Sequence, residues 1–318
     1  MRFPPPEVIA SWPVPDYTNP ISRGPTLLIV ELTILPVALI CVALRLYVRY
    51  FMVRKTWWDD WLMVVAAIFG TGVTICVVLA SQKYGWNIHV WDLTLVQMIQ
   101  GRQVSIAGQT LFVFASGFEK LSILATYLRI AVSGTWFRRL TWASIVLVNL
   151  VMLVFTIVLW TQCNPASEYW NLFATDRTCE AEGPPLMGQA SATVFTDLVV
   201  YILPMPTLYQ LKLPQWNRIV LMAVFGLGGL VCVAGIMRTV WVHHVVYSTY
   251  DITWEGFYLW IWTAVEVNLG VICGCIPALR PLLSHWNGQR SGYSSSTIIT
   301  ETRRGLDIGV YVISTNDV

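Results

Sequence analysis

Seven apolar stretches, each about twenty residues long, run through this chain and leave little room for a soluble domain. They are approximately Leu27–Val48, Trp61–Ala80, Val104–Ile130, Leu140–Trp160, Gly188–Leu208, Ile219–Val240 and Phe257–Ala278. A helix rises about 1.5 Å per residue, so about 20 apolar residues cross a hydrocarbon core of about 30 Å. The expected fold is all-α. It is a seven-transmembrane helix bundle over residues 27–283, after an N-terminal tail (1–26) on the lumenal or extracellular side. Residues 284–318 are Ser/Thr-rich and are expected to be a disordered cytoplasmic tail.

Composition points the same way. Hydrophobic residues make up 56% of the chain and charged residues 12%, where a soluble domain carries about 25%. The net charge of +2 gives no footing for nucleic acid. Of sixteen Trp, many fall at expected span ends, including Trp57, Trp58, Trp61, Trp86, Trp91, Trp136, Trp160 and Trp254. That is the aromatic belt of a membrane–water interface. The Pro-rich N-terminus has no apolar core like that of a cleavable signal, so the first span is expected to serve as the targeting signal.

Lys and Arg set the orientation. With the N-terminus outside, thirteen fall on the inner side and six on the outer: Arg2, Arg23, Lys83, Arg102, Arg177 and Arg238. The bias gives N-out, C-in. Five of the seven Cys lie in spans, and the other two, Cys163 and Cys179, share the loop after span four. N-out places that loop on the oxidising side, where a Cys163–Cys179 disulfide persists. Two free thiols are the alternative. Thr56 to Asp59 reads as a capping box opening helix two. Pro204 and Pro206 should stop helix five, Pro214 should stiffen the turn after it, and Pro277 and Pro281 should end helix seven.

Charges inside spans are costly and need partners. Here they are Glu31, Glu119, Lys120, Asp197 and Glu266, with Asn268 near the last. Glu119 and Lys120 are adjacent, so they point about 100° apart and cannot pair well with each other. Lys120 is expected to pair with Asp197 or Glu266. The set reads either as a polar ligand pocket between helices three, five and seven or as a network that only fixes packing. A second candidate group is Trp86, His89, Trp91 and Asp92, at the mouth of a pocket or as ordinary interfacial anchors. Gly270 and Gly274 form a GxxxG pair that permits close helix contact. His243 and His244 are adjacent and do not suit joint chelation, so no metal is expected. No Lys lies in span seven, which removes the usual retinal Schiff base, and no cofactor is expected.

One family carries many of these features together. They are Arg45-Leu-Tyr-Val-Arg49 with Asp59-Asp60-Trp61; Tyr84-Gly85 with His89 and Trp91-Asp92; Lys120-Leu-Ser-Ile-Leu124 leading to Tyr127-Leu-Arg129; Cys163-Asn-Pro165 with Trp170 and Cys179; Asp197 with Leu203-Pro204-Met-Pro206; Arg238; and Glu266-Val-Asn268-Leu-Gly270 ending in Cys275-Ile-Pro277. In these the chain resembles the fungal rhodopsin-like integral membrane proteins. That family includes the satratoxin-cluster membrane protein and receptor-like proteins of surface sensing. The resemblance implies the seven-helix shape without light detection, and the Cys-rich outer domain of some receptor-like members is absent.

Three functional readings follow. The first is a receptor-like binder of a small apolar metabolite, with a cytoplasmic signalling or pathway partner, accessory to secondary metabolism. The second is a membrane-embedded cyclase or isomerase with Asp197 or Glu266 as its acid. The third is a structural scaffold. Localisation is expected to be the plasma membrane or an endomembrane.

Overall fold

The computed structural model describes residues 4–130, 135–171, 179–206, 215–279 and 281–282. Pro214 and the tail beyond residue 282 lie outside them. Seven long helices carry the fold: α1 (Thr26–Tyr47), α2 (Trp58–Lys83), α3 (Leu95–Ile130), α4 (Trp136–Thr161), α5 (Gly183–Ile202), α6 (Gln215–His243) and α7 (Ile252–Cys275). A five-residue helical turn, Pro6–Ala10, precedes them. Among the described residues there is no β-strand, only two isolated bridges.

Six of these helices are long and apolar enough to cross a membrane: α1 with the π-helical turn that follows it, α2, α3, α4, α6 and α7. The protein is a multi-pass integral membrane protein. Helix α5 is 20 residues long and packs between α4 and α6. Gln189, Thr193, Thr196 and Asp197 lie on its buried face and keep it outside the strongly apolar set.

The bundle buries polar groups among apolar clusters inside and is apolar outside. Helix α3 is central and touches α2, α4, α5 and α7, and successive helices pack in order from α1 to α7, which returns to α1. On α4, Val146, Leu150, Leu153 and Ile157 recur at helical spacing and are all exposed, as a lipid-facing stripe requires. Ser116, Lys120, Thr126 and Glu119 of α3 are buried.

Helix ends depart from the sequence boundaries where polar residues blur the apolar signal. Helix α3 starts at Leu95 rather than Val104, because Gln97, Gln100, Arg102 and Gln103 sit in its first turns. Helix α5 starts at Gly183 rather than Gly188 and stops at Ile202, just before Pro204 and Pro206. Helix α7 gives way to a 3-10 turn containing Pro277. The capping contact of α2 lies one residue later than expected: the Asp60 carboxylate accepts from the Trp57 amide at 3.2 Å.

Two ends of the bundle can be told apart without reference to the membrane. At one end Arg45, 1% exposed, donates from all three guanidinium nitrogens. Nε reaches Asp60 at 2.9 Å, Nη2 reaches Asp59 at 2.7 Å and Nη1 reaches the Gly274 carbonyl at 2.7 Å. Ser122 and Thr126 of α3 donate to Asp59 as well, to its carbonyl and its carboxylate respectively. Four helices are therefore joined at this arginine end. The opposite end carries the Cys163–Cys179 disulfide.

Candidate functional site: a cavity at the disulfide end

A cavity of about 520 Å³ opens among α3, α5, α6 and α7 at the disulfide end. Leu186, Val242, Val245, Ile252 and Leu259 give it an apolar wall. Polar groups line it both near the disulfide, at Arg102 and Glu182, and deeper. Arg238 is one helical turn below Val242, about 6 Å down the axis of α6. Gln109, Trp260 and Thr263 also line the cavity.

Three buried polar atoms on these lining side chains have no hydrogen-bond partner among the described residues: Arg238 Nη2, Trp260 Nε1 and Gln109 Oε1. Leaving such a group unmade costs about 1–3 kcal/mol, more if charged. They sit beside space that a ligand can fill. Arg238 is held from below by its Nε, which donates to Glu266 at 2.7 Å, and its guanidinium lies 4.4 Å from the Phe112 ring centre.

Glu266 belongs to a buried charge group under the floor. Lys120 pairs with Asp197 at 3.1 Å and donates to Ser116 at 2.6 Å. Glu266 and Asp197 both face Gly235, where a Cβ would stand 3.5 Å from an oxygen of each. Glu119 turns the other way, against α7, and a Cβ at Gly270 would overlap its carboxylate. The GxxxG pair therefore makes room for Glu119 at Gly270 and for Met63 at Gly274. Asn268 donates to the Ala264 carbonyl of its own helix at 2.9 Å and does not join Glu266.

The wall nearest the disulfide is built on Arg102. Its Nε donates to the Tyr169 carbonyl and its Nη2 to Glu182, both at 2.6 Å, and it stacks 4.5 Å from the Tyr169 ring. Burial, the largest single influence, raises the Glu182 carboxyl, but the Arg102 guanidinium and the other positive charge acting on it together hold the group below its ordinary value. Burial pushes the Tyr169 phenol well up. Cys163 and Tyr169 pack against Ile106 and Leu159, so the disulfide loop is fixed to α3 and α4.

The second sequence group divides. Trp86 lines the cavity, edge-on to Trp260 at 5.7 Å, rather than anchoring at a membrane surface. His89, Trp91 and Asp92 do not reach the cavity wall and form a cap beside it. The His89 ring is stacked between Trp91 and Trp254, with centroids 4.4 and 3.8 Å away, and its Nδ1 meets Asp251 at 2.5 Å. The N-terminal segment completes this cap. Asp92 accepts from the Asp16 amide at 3.0 Å, and Arg23 pairs with Glu255 at 3.0 Å over Trp254.

Two site arginines were misplaced by sequence reasoning. Arg102 and Arg238, counted on the outer side from the sequence, are buried in helices and paired with carboxylates. Arg238 falls inside the apolar stretch Ile219–Val240, and that position was the available signal. Removing the two from the outer count sharpens the charge asymmetry. Gln109 and Trp260 carry no local mark that separates them from ordinary bundle residues.

Residues 44–285 match the fungal rhodopsin domain. The chain belongs to that family. Among curated relatives it is 28% identical over 253 residues to Receptor GIN3 of Arthrobotrys oligospora, covering 78% of this chain and 59% of the relative. It is 23% identical to Fugralins biosynthesis cluster protein 2 of Gibberella zeae, covering 77% of this chain and 62% of the relative. It is 27% identical to Wortmanamides biosynthesis cluster protein C of Talaromyces wortmannii, covering 86% and 75%. The chain thus spans about three fifths of the length of the first two relatives. No solved structure matches it. The family match takes in six of the seven long helices whole, with the last turn of α1, and so all the helical residues that line the cavity.

Proposed function

We propose that this protein is a seven-helix receptor-like binder of a small, largely apolar metabolite. Its disulfide end faces the lumen or the cell exterior, and it serves as a membrane accessory to a fungal secondary-metabolite pathway. The observation that carries this reading is the cavity of about 520 Å³ with unpartnered polar atoms on its deep walls. Its size and mostly apolar lining suit a small-molecule site. The relatives support the rest: one is named a receptor, and others are named for biosynthetic clusters. Asp197 and Glu266 do not line the cavity, and Arg238 stands between them and the space above. That placement favours binding over acid catalysis by those carboxyls.

Photolabelling tests the reading. The protein is reconstituted in nanodiscs, labelled with a small apolar diazirine and mapped by peptide mass spectrometry. Label is expected on Val242 and Leu259, one buried and one half-buried in the cavity wall, as well as on the lipid-facing stripe of α4. Label confined to lipid-facing residues would remove the cavity as a binding site.

A further inference from the structure

Resting on the proposed binding site, we infer that its ligand is an uncharged amphiphile with a carbonyl-type oxygen at one end and an O–H or N–H group beside it. The polar end points down to Arg238, Trp260 and Gln109, and the apolar body rises along Val242, Val245 and Leu186.

The argument starts from the unmade bonds. Arg238 Nη2 and Trp260 Nε1 can only donate, and Gln109 Oε1 can only accept. A ligand that satisfies them therefore offers an acceptor to two donors and a donor to one acceptor. Gln109 Nε2 donates to Ser105 at 3.3 Å and the Gln109 side chain also meets the Tyr169 hydroxyl, while Gln109 Oε1 has no partner among the described residues.

Charge then separates neutral heads from anionic ones. A free guanidinium nitrogen invites a carboxylate, but Arg238 is already paired with Glu266 at 2.7 Å. Beneath it the buried group sets two cations, Lys120 and Arg238, against two paired carboxylates, Asp197 and Glu266. Arg102, the other arginine on the wall, is committed to Glu182 at 2.6 Å. An anionic head would arrive at a floor with no uncompensated positive charge, in a setting of low dielectric where that cost is large. A neutral carbonyl takes the same hydrogen bonds without it. Above Arg238, Val242, Val245, Val246 and Leu186 give the wall an aliphatic strip that accepts a hydrocarbon body.

The test uses three probes of one chain length, each with a diazirine near the tail: dodecanamide, dodecanoate and dodecane. Labelling of cavity peptides in nanodiscs is titrated for the native protein and for Trp260→Phe, which removes the N–H and keeps the ring. Dodecanamide should label Val242 and Val245 peptides at the lowest concentration, with dodecanoate and dodecane weaker. Trp260→Phe should weaken the amide by roughly five- to tenfold, as expected for one lost hydrogen bond, and leave dodecane unchanged. Gln109→Leu should act on the amide in the same direction and give a second, independent reading if Trp260→Phe lowers expression. Dodecanoate labelling as tightly as the amide would overturn the neutral head. Equal labelling by all three probes would overturn head recognition while the binding site itself stands. No cavity labelling by any probe would remove the site and this inference with it.

Discussion

Two buried arginines, one toward each end of the bundle, are held in opposite ways. Arg45 and Arg238 are both nearly inaccessible, 1% and 5% exposed. Arg45 has a partner on every guanidinium nitrogen, drawn from α2 and α7. Arg238 has its Glu266 partner on Nε, and its Nη2 has none among the described residues. Arg49 and Arg129, at the arginine end, each leave one nitrogen without a hydrogen bond, but the large cavity does not reach them. An unpartnered donor acquires functional meaning when it adjoins space that a ligand can occupy. Burial alone does not distinguish a lock from a receptor surface.

The largest expected effect falls on the layer between the two ends. Lys120→Met removes the partner of Asp197 and leaves a buried carboxylate unpaired, at a cost of about 3–5 kcal/mol. Asp197→Asn keeps the shape and should cost clearly less. Thermal unfolding in detergent checks both. Equal, small shifts would show that the pair does not hold α3 to α5 and would weaken the division into ends.

Removing the disulfide should affect the open end alone. Cys163→Ser with Cys179→Ser frees a loop closed over a separation of 16 residues. The chain-entropy account puts the loss near 3 kcal/mol. Hydrogen exchange should rise around Tyr169 and at the start of α5, and should stay unchanged around Arg45. A rise at both ends would show that they are not independent.

The Cys163–Cys179 pairing was legible because those two cysteines alone lay outside the spans. The 100° divergence of adjacent helical residues turned Lys120 away from Glu119 and toward Asp197 or Glu266, and the packing of α3 on α5 selects Asp197. The partner of Glu266 was not legible. A hydropathy window treats Arg238 as the end of a span, and only the packing of α6 on α7 shows that it points inward. The cap was illegible for another reason. Its contacts join Asp16 to Asp92 and Arg23 to Glu255, at separations of 76 and 232 residues, and no local pattern marks such pairs.

A smaller effect concerns acid. Glu182 is held below its ordinary value of 4.5, because burial is opposed by the combined pull of Arg102 and other positive charge. Its pairing therefore stabilises the fold fully above that value and is lost as pH falls through the lowered one. Below the ordinary value the native protein should lose stability more steeply with falling pH than Glu182→Gln. Parallel curves would show that Arg102 does not depend on this carboxylate.

Paired substitutions of the two arginines by lysine test the contrast most directly, with unfolding temperatures measured in one detergent. A single ammonium cannot span Asp59, Asp60 and the Gly274 carbonyl as the guanidinium fork does, so Arg45→Lys should cost about 2–4 kcal/mol. At Arg238 a lysine can keep Glu266 paired, and the nitrogen it gives up had no protein partner. Arg238→Lys should cost about 1 kcal/mol or less in the absence of ligand. Equal losses at the two sites would contradict the account, because they would show that Arg238 is as fully engaged in holding the fold as Arg45.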